Sequence, residues 1–227
     1  MTNSIASILL AVPVILFSMV AHEYAHGYAA LRQGDPTAYQ LGRLTWNPIK
    51  HIDPFMTILL PLMTGYFLHF PFGGAKPVPV NPRNYRKFKR GDIIVSLAGI
   101  AANTALAVLF TLLVILIGLI ARSAPAGWME TLALLQVMLV WGILFNVLLA
   151  VFNLLPIPPL DGSHVMKYLL PPAWSLRYQQ AGRFGLLIVF AVAFLMPSLF
   201  LVPVSGVFSL ALRVFAPFAL PGVLGAL

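Results

Sequence analysis

One run of apolar residues, from Ser4 to about Leu31, constrains this chain most, because it is oily enough for a membrane span yet carries two histidines and a glutamate. The stretch Val20-Ala21-His22-Glu23-Tyr24-Ala25-His26-Gly27 contains the pattern H-E-x-x-H. On a helix, His22 and His26 fall on one face and can bind one Zn²⁺ together, with Glu23 beside the metal as a general base. From Ser4 to His22 is about 27 Å of helix at 1.5 Å per residue, so the motif lies nearer the C-terminal end of the run. Ionisable side chains are expensive inside lipid and are kept there for a function. A bound metal is such a function.

The rest of the composition agrees with a membrane setting. The 227 residues are 60% hydrophobic and 9% charged, with a mean hydropathy of +0.92; an ordinary soluble domain has about 25% charged residues. Several runs approach or exceed the roughly 18 apolar residues of a membrane span. The expectation is an all-α polytopic membrane protein, a bundle of five to six membrane segments with a short re-entrant or β-hairpin element. A single domain is expected over 1–227, with its core at 4–168 and accessory helices at about 184–220. The first apolar run does not read as a signal peptide: it is too long, has no basic lead-in, and holds the metal motif that cleavage would remove.

The net charge of +8 is concentrated in Lys76, Arg83, Arg86, Lys87, Lys89 and Arg90. Beside membrane spans this basic run is a cytoplasmic topology signal and a lipid contact, and implies no nucleic acid. With no cysteine in the chain, disulfides and thiolate ligands are excluded, and a zinc site must use histidine and carboxylate.

Taken in order, Gly34-Asp35-Pro36 ends segment one, and turn signals follow at Asn47-Pro48 and Asp53-Pro54. Segment two, Phe55 to Phe70, is short and interrupted by Pro61 and Gly65, with basic flanks on both sides. A re-entrant element satisfies those flanks better than a crossing. The alternating prolines of Phe72 to Val80 favour an extended strand with one free edge. Segments three (about Asp92 to Ile120) and four (about Trp128 to Phe152) are spans, the first with small residues and one buried amide at Asn103. A proline-rich break then runs from Asn153 to Gly162, with His164 and Lys167 on a new helical turn. Leu169 to Arg183 reads as a polar connection, before segments five (about Phe184 to Leu199) and six (about Val202 to Leu220).

If segment one runs from outside to cytoplasm and segment two is re-entrant, the ends of segments one and four share a depth near the cytoplasmic face. A catalytic zinc commonly takes three protein ligands and leaves one position for water. Of the six acidic residues, Glu23, Asp35, Asp53, Asp92, Glu130 and Asp161, only Asp161 lies in an apolar helix break at that depth. Such a break is tolerated where it lines a polar cavity, so Asp161 is the expected third ligand beside His22 and His26.

These residues together resemble a known family. His22-Glu23-x-x-His26 in the first span, with Asn153-x-x-Pro156-x-Pro158-x-x-Asp161-Gly162 after a later one, is similar to the site-2 protease family of intramembrane zinc metalloproteases. Gly99-x-x-x-Asn103 and the basic lead-in also resemble bacterial members, and the likeness covers about Val20 to His164. It implies a minimal member without a PDZ domain, in a bacterial inner membrane with its active site toward the cytoplasm. It also implies Zn²⁺ as cofactor, a membrane-protein transmembrane helix as substrate, Glu23 as the proton-transferring residue, and Asn153 as donor to the oxyanion. The expected strand at Gly73–Val80 offers an unwound substrate an edge for β-augmentation.

Plainer roles compete for some residues. Asp161 can cap a helix beginning at Gly162, and Asn153 can satisfy carbonyls freed by Pro156. Asn103 reads as glue between helices. His164 is either a donor behind the site or a loop residue, His51 belongs to a structural turn, and His69 is interfacial. Two rival functions are a metal-ion transporter, which calls for paired broken helices in two related halves, and a catalytically inactive binder of membrane helices. No internal repeat supports the first, and the presence of all four motif residues weighs against the second.

Overall fold

The computed structural model describes residues 2–68 and 73–226; His69, Phe70 and Phe72 lie outside them. Among the described residues the protein is helical, with no β-strand. Helix α1 spans Thr2–Gln33, with Pro13 inside it. It ends where Gly34 takes φ +110°, as the Asp35 N–H returns to Ala30 O and the Gly34 N–H to Leu31 O. That paired closure is the left-handed helix stop that glycine permits. A four-residue helix α2 (Thr37–Gln40) follows.

Asn47 and Asp53 build the next stretch as turn formers. Asn47 Oδ1 accepts from the Ile49 N–H at the head of a 3₁₀ turn, Pro48–His51. Asp53 Oδ1 accepts from Phe55 and Met56 at the head of a π turn, Pro54–Leu59. The π turn runs into α3 (Leu60–Leu68). Pro61 falls where the π turn passes into α3 and offers no N–H to Met56 O, five residues back, which accepts from the Gly74 N–H instead. The chain leaves at His51 and comes back to it, since Lys76 N–H donates to His51 O at 2.8 Å, Gly74 N–H to Met56 O at 3.0 Å and Thr57 Oγ1 to Gly74 O at 2.7 Å. The two flanks of segment two therefore meet at one level, as a re-entrant element requires.

Helix α4 (Phe88–Ala121) begins earlier than its apolar content predicts, taking Lys89 and Arg90 into its first turn. Helix α5 covers Met129–Leu154, and the five-residue α6, Gly162–Met166, starts directly after Asp161. The expected polar connection at Leu169–Arg183 is instead mostly helix, α7 (Pro172–Ala181), which continues through a 3₁₀ turn into α8 (Gly185–Leu195). Pro172 at the first helical position starts α7, and no apolar stripe betrays it in the sequence. Helix α9 spans Ser198–Phe215. Among the described residues four stretches are long and apolar enough to cross a membrane: Phe88–Ala121, Ala126–Leu154, Pro172–Leu195 and Ser198–Phe218. By length and composition they suit a multi-pass membrane protein.

One apolar core joins α1, α4, α5 and α9 through Val14, Phe110, Val114, Val140, Ile143, Val204 and Phe215. Gln136, wholly buried, fastens the C-terminal end to it: its amide donates to Val114 O and Phe218 O and accepts from the Leu220 N–H. At the opposite end Asp35, also wholly buried, ties α1 to the segment before α4. Its carboxylate accepts from Thr37 N–H and Oγ1, from Asn81 N–H at 2.6 Å and from Asn84 Nδ2 at 2.8 Å.

Burial opposes ionisation of Asp35, but the donors from Asn81, Thr37 and Asn84 outweigh it and hold the carboxyl below the usual carboxylate range. Asp35→Asn turns an acceptor into a mixed group facing four donors and is expected to cost about 3 kcal/mol of stability. The sign with pH follows from the lowered folded value. The difference between wild type and variant is present above the unfolded carboxyl value of about 4, and is lost as pH falls through the lower folded one. Thermal unfolding of both proteins in lipid or detergent across acid pH measures it.

Candidate metal centre

The site begins as a match between one face of α1 and one face of α4. His22 and His26 are one helical turn apart on α1, and Val95, Gly99 and Asn103 are spaced likewise on α4. His26 Nδ1–H donates to Val95 O at 2.8 Å, and His22 Nδ1–H donates to Asn103 Oδ1. Between them Gly99 gives the rings room: a Cβ there would stand 2.4 Å from His26 Nε2 and 2.5 Å from His22 Cε1. With both Nδ1 atoms engaged as donors, each Nε2 is left as a bare acceptor, the tautomer in which histidine binds metal. The two Nε2 atoms are 3.0 Å apart.

Asp161 completes the cluster from across the chain. Its Oδ2 lies 3.4 Å from His22 Nε2 and 3.3 Å from His26 Nε2, buried and with no hydrogen-bond donor of its own. It occupies the cap position of α6 but has helical angles (φ −57°, ψ −40°) and makes no side-chain cap, so capping does not explain it. Three electron-rich atoms that face one another form a set suited to a cation. Four ligand atoms set tetrahedrally at zinc bond lengths of about 2.0–2.1 Å stand about 3.3 Å apart, and the observed 3.0, 3.3 and 3.4 Å bracket that spacing. The three residues form the one group among the described residues with ligand atoms close enough, all within 4.8 Å, to hold a metal ion.

Two contacts fix Asp161 in place. Gly162 packs so tightly on the end of α5 that a Cβ would lie 2.2 Å from Leu154 O. On the other side buried Asp92, near the start of α4, grips α6 and its continuation. It accepts from Lys167 Nζ at 2.6 Å, Tyr168 Oη at 2.9 Å and His164 Nδ1 at 3.2 Å. His164 thus faces Asp92, one of the two places the sequence leaves open for it being a position behind the site.

Glu23 points to a different side of α1. Its Oε2 accepts the Val78 N–H at 2.7 Å, and Gly27, one turn on, receives the Val78 side chain where a Cβ would meet it at 2.9 Å. The segment Gly73–Val80 is non-helical as expected, but it forms no strand, and part of its edge is bonded within the protein. The N–H groups of Gly74, Lys76 and Val78 are bound within the protein, Arg43 covers the carbonyls of Lys76 and Pro77, and Pro77 and Pro79 have no N–H. Three donors of the edge expected for a substrate strand instead orient Glu23 and close the hairpin. Asn153 donates Nδ2 to Leu149 O at 3.0 Å, one turn back on its own helix. His51, as expected for a turn residue, is buried and bonded to Thr45 O.

The reading from sequence misses three contributors: Asp92, Asn146 and Ser18. Asn146 takes up Asn103 behind His22 and Ser18 takes up Asn146, all three wholly buried. Their signal is a polar residue at one-turn spacing from a motif residue (Ser18 before His22), or alone in an apolar span.

A family model described as Peptidase family M50 matches residues 10–196. "Putative zinc metalloprotease YwhC" of Bacillus subtilis is 41% identical over 183 residues, which is 81% of this chain and 78% of that relative. "Putative zinc metalloprotease Rip2" of Mycolicibacterium smegmatis is 35% identical over 176 residues, 77% of this chain and 62% of that relative. No solved structure matches the chain.

The tight fit at Gly99 yields a test of the cluster. Gly99→Ala, an ordinary change in a helix, is expected to push the imidazoles apart and lower metal content at least tenfold, read by elemental analysis of the purified protein.

Proposed function

The chain belongs to peptidase family M50, the site-2 protease family, and from that premise we propose that it is a zinc-dependent intramembrane endopeptidase acting in or near the transmembrane segments of membrane proteins. The observation that carries this reading is the convergence of His22 Nε2, His26 Nε2 and Asp161 Oδ2, with Asp161 Oδ2 unpartnered, inside an apolar helix bundle. These three residues are the proposed zinc ligands. Bound there, zinc supplies a Lewis acid for the scissile carbonyl and brings a water's pKa toward 7.

The chain's own groups do the rest. Glu23 lies next to His22 on α1, with one carboxylate oxygen held by the Val78 N–H, which fixes the plane in which the other meets the attacking water. It takes the water's proton and returns it to the leaving amine. Asn153 has two amide hydrogens, and Leu149 O engages one; we assign the other to the oxyanion that forms on the scissile carbonyl. The proposed setting is a bacterial inner membrane, in one domain through the chain, with the cluster toward the cytoplasm because Arg43, Lys50 and the Lys76–Arg90 run flank it. Metal transport fits less well, since the ligating atoms gather at one point and do not string along a path.

Zinc measurement separates the roles without a known substrate. Wild type is expected to hold about one zinc per chain, and both His22→Ala and Asp161→Ala to lose it. Glu23→Gln should keep zinc yet cleave a model transmembrane substrate at least 100-fold more slowly, within the usual range for a lost general base; Asn153→Ala should keep zinc with a smaller loss. Zinc kept in Asp161→Ala would remove the third ligand. For the topology, single cysteines at Thr45 and Asn84 should react alike with an impermeant thiol label. Labelling of only one in intact cells rules out a re-entrant hairpin.

A further inference from the structure

Behind His22 the protein carries a chain of buried amides that the reaction does not touch. Val14, Ser18, His22 and His26 are spaced one turn apart along a single face of α1. Ser18 Oγ donates to Val14 O at 2.7 Å, Asn146 Nδ2 donates to Ser18 Oγ at 2.7 Å and to Gly142 O at 2.8 Å, and Asn103 Nδ2 donates to Asn146 Oδ1 at 2.8 Å. Asn103 Oδ1 then accepts from His22 Nδ1. Ser18, Asn103 and Asn146 are all wholly buried.

This chain has a direction, and one atom sets it. A backbone carbonyl only accepts, so the Asn146 group beside Gly142 O must be its NH₂. Reversed, the amide would bring its own oxygen against that carbonyl and leave both unsatisfied in a buried site. Ser18, whose single hydrogen goes to Val14 O, likewise offers Asn146 only an acceptor. Asn146 therefore presents oxygen to Asn103, Asn103 must answer with its NH₂, and its oxygen must face His22. His22 is then obliged to carry its proton on Nδ1. We propose that Asn146 is a positioning residue that acts through Asn103 to hold His22 in the metal-binding tautomer, with Nε2 bare.

The packing is arranged so that Asn146 can reach this place. Gly142 sits where α5 closes on α1 and α4, and a Cβ there would meet Val14 Cγ2 and a Phe110 ring carbon, each at 2.8 Å. The close approach brings Asn146, one turn later, within hydrogen-bond distance of both neighbouring helices. With Asn146 gone, nothing opposes reversal of the Asn103 amide. A reversed Asn103 donates to His22 Nδ1, moves the proton to Nε2, and aims it at the face where His26 Nε2 and Asp161 Oδ2 wait.

The inference rests on the zinc reading, and the experiment keeps the two apart. The full chain, labelled with ¹⁵N-histidine and reconstituted in lipid, is stripped of metal, and the His22 signals are assigned by their absence in His22→Gln. Wild type is expected to show His22 protonated at Nδ1 without metal; the Nε2–H form there overturns the proposal, whatever any variant does. Asn146→Leu is expected to show a mixture of tautomers and a zinc dissociation constant raised 10- to 100-fold, the usual effect of losing a group behind a ligand. Ser18→Ala, which changes packing at the same spot but leaves Gly142 O to orient Asn146, is expected to keep the Nδ1–H form and bind zinc within about threefold of wild type, inside the 10-fold lower bound for losing such a group. A folded Asn146→Leu with the Nδ1–H form and unchanged zinc affinity overturns the positioning role and leaves the zinc site standing. A wild type that takes up no zinc on reconstitution overturns both.

Discussion

Three electron-rich atoms held within 3.4 Å of one another in an apolar bundle are the constraint on which this structure turns. Left to themselves they repel, and each alone is expensive to bury. They stay together because every group behind them is engaged elsewhere. The two Nδ1 hydrogens are taken by α4, the backbone of α6 is pressed on α5 at Gly162, and Asp92 holds α6 from the other side. The proposed cation in the middle would offset that cost, in keeping with membership of the peptidase family.

The buried polar network is a weak source of stability. Hydrogen bonds between membrane helices average about 0.6 kcal/mol, so the few linking α1, α4 and α5 contribute little beside the packing of Val14, Phe110, Val114, Val140 and Ile143. What they provide is direction, since a chain of amides anchored on a carbonyl can be satisfied in one sense only. Glu23 is treated in the same way, by a backbone N–H from a segment that otherwise closes a hairpin. The precision of the site is thus inherited from atoms that belong to no motif.

That division explains what was legible in the sequence. His22, Glu23 and His26 were readable because their neighbourhood is local to one helix, and Asp161 because few acidic residues compete with it and a proline-rich break surrounds it. Helix stops at Gly34 and turns at Asn47 and Asp53 were readable for the same local reason. Asn146 was not, since one asparagine in an apolar span looks alike whether it faces a histidine or another helix; only the approach of α5 at Gly142 decides. Helix α7 was hidden because a short polar helix has no apolar stripe to reveal it. The strand at Gly73–Val80 was over-read: prolines forbid helix there, but they do not create a partner strand, and the N–H groups of Gly74, Lys76 and Val78 are committed to Met56, His51 and Glu23.

The position of Asp161 in the chain also bears on how the protein is made. His22 and Glu23 emerge from the ribosome first, and the carboxylate that completes their cluster comes only after α4 and α5 have been threaded into the bilayer. A nascent chain still short of α6 has the imidazoles and the glutamate but no third arm. On the proposed ligand set, the centre gains its third ligand only after the helices that frame it have been made, and a chain that stops before α6 lacks that ligand.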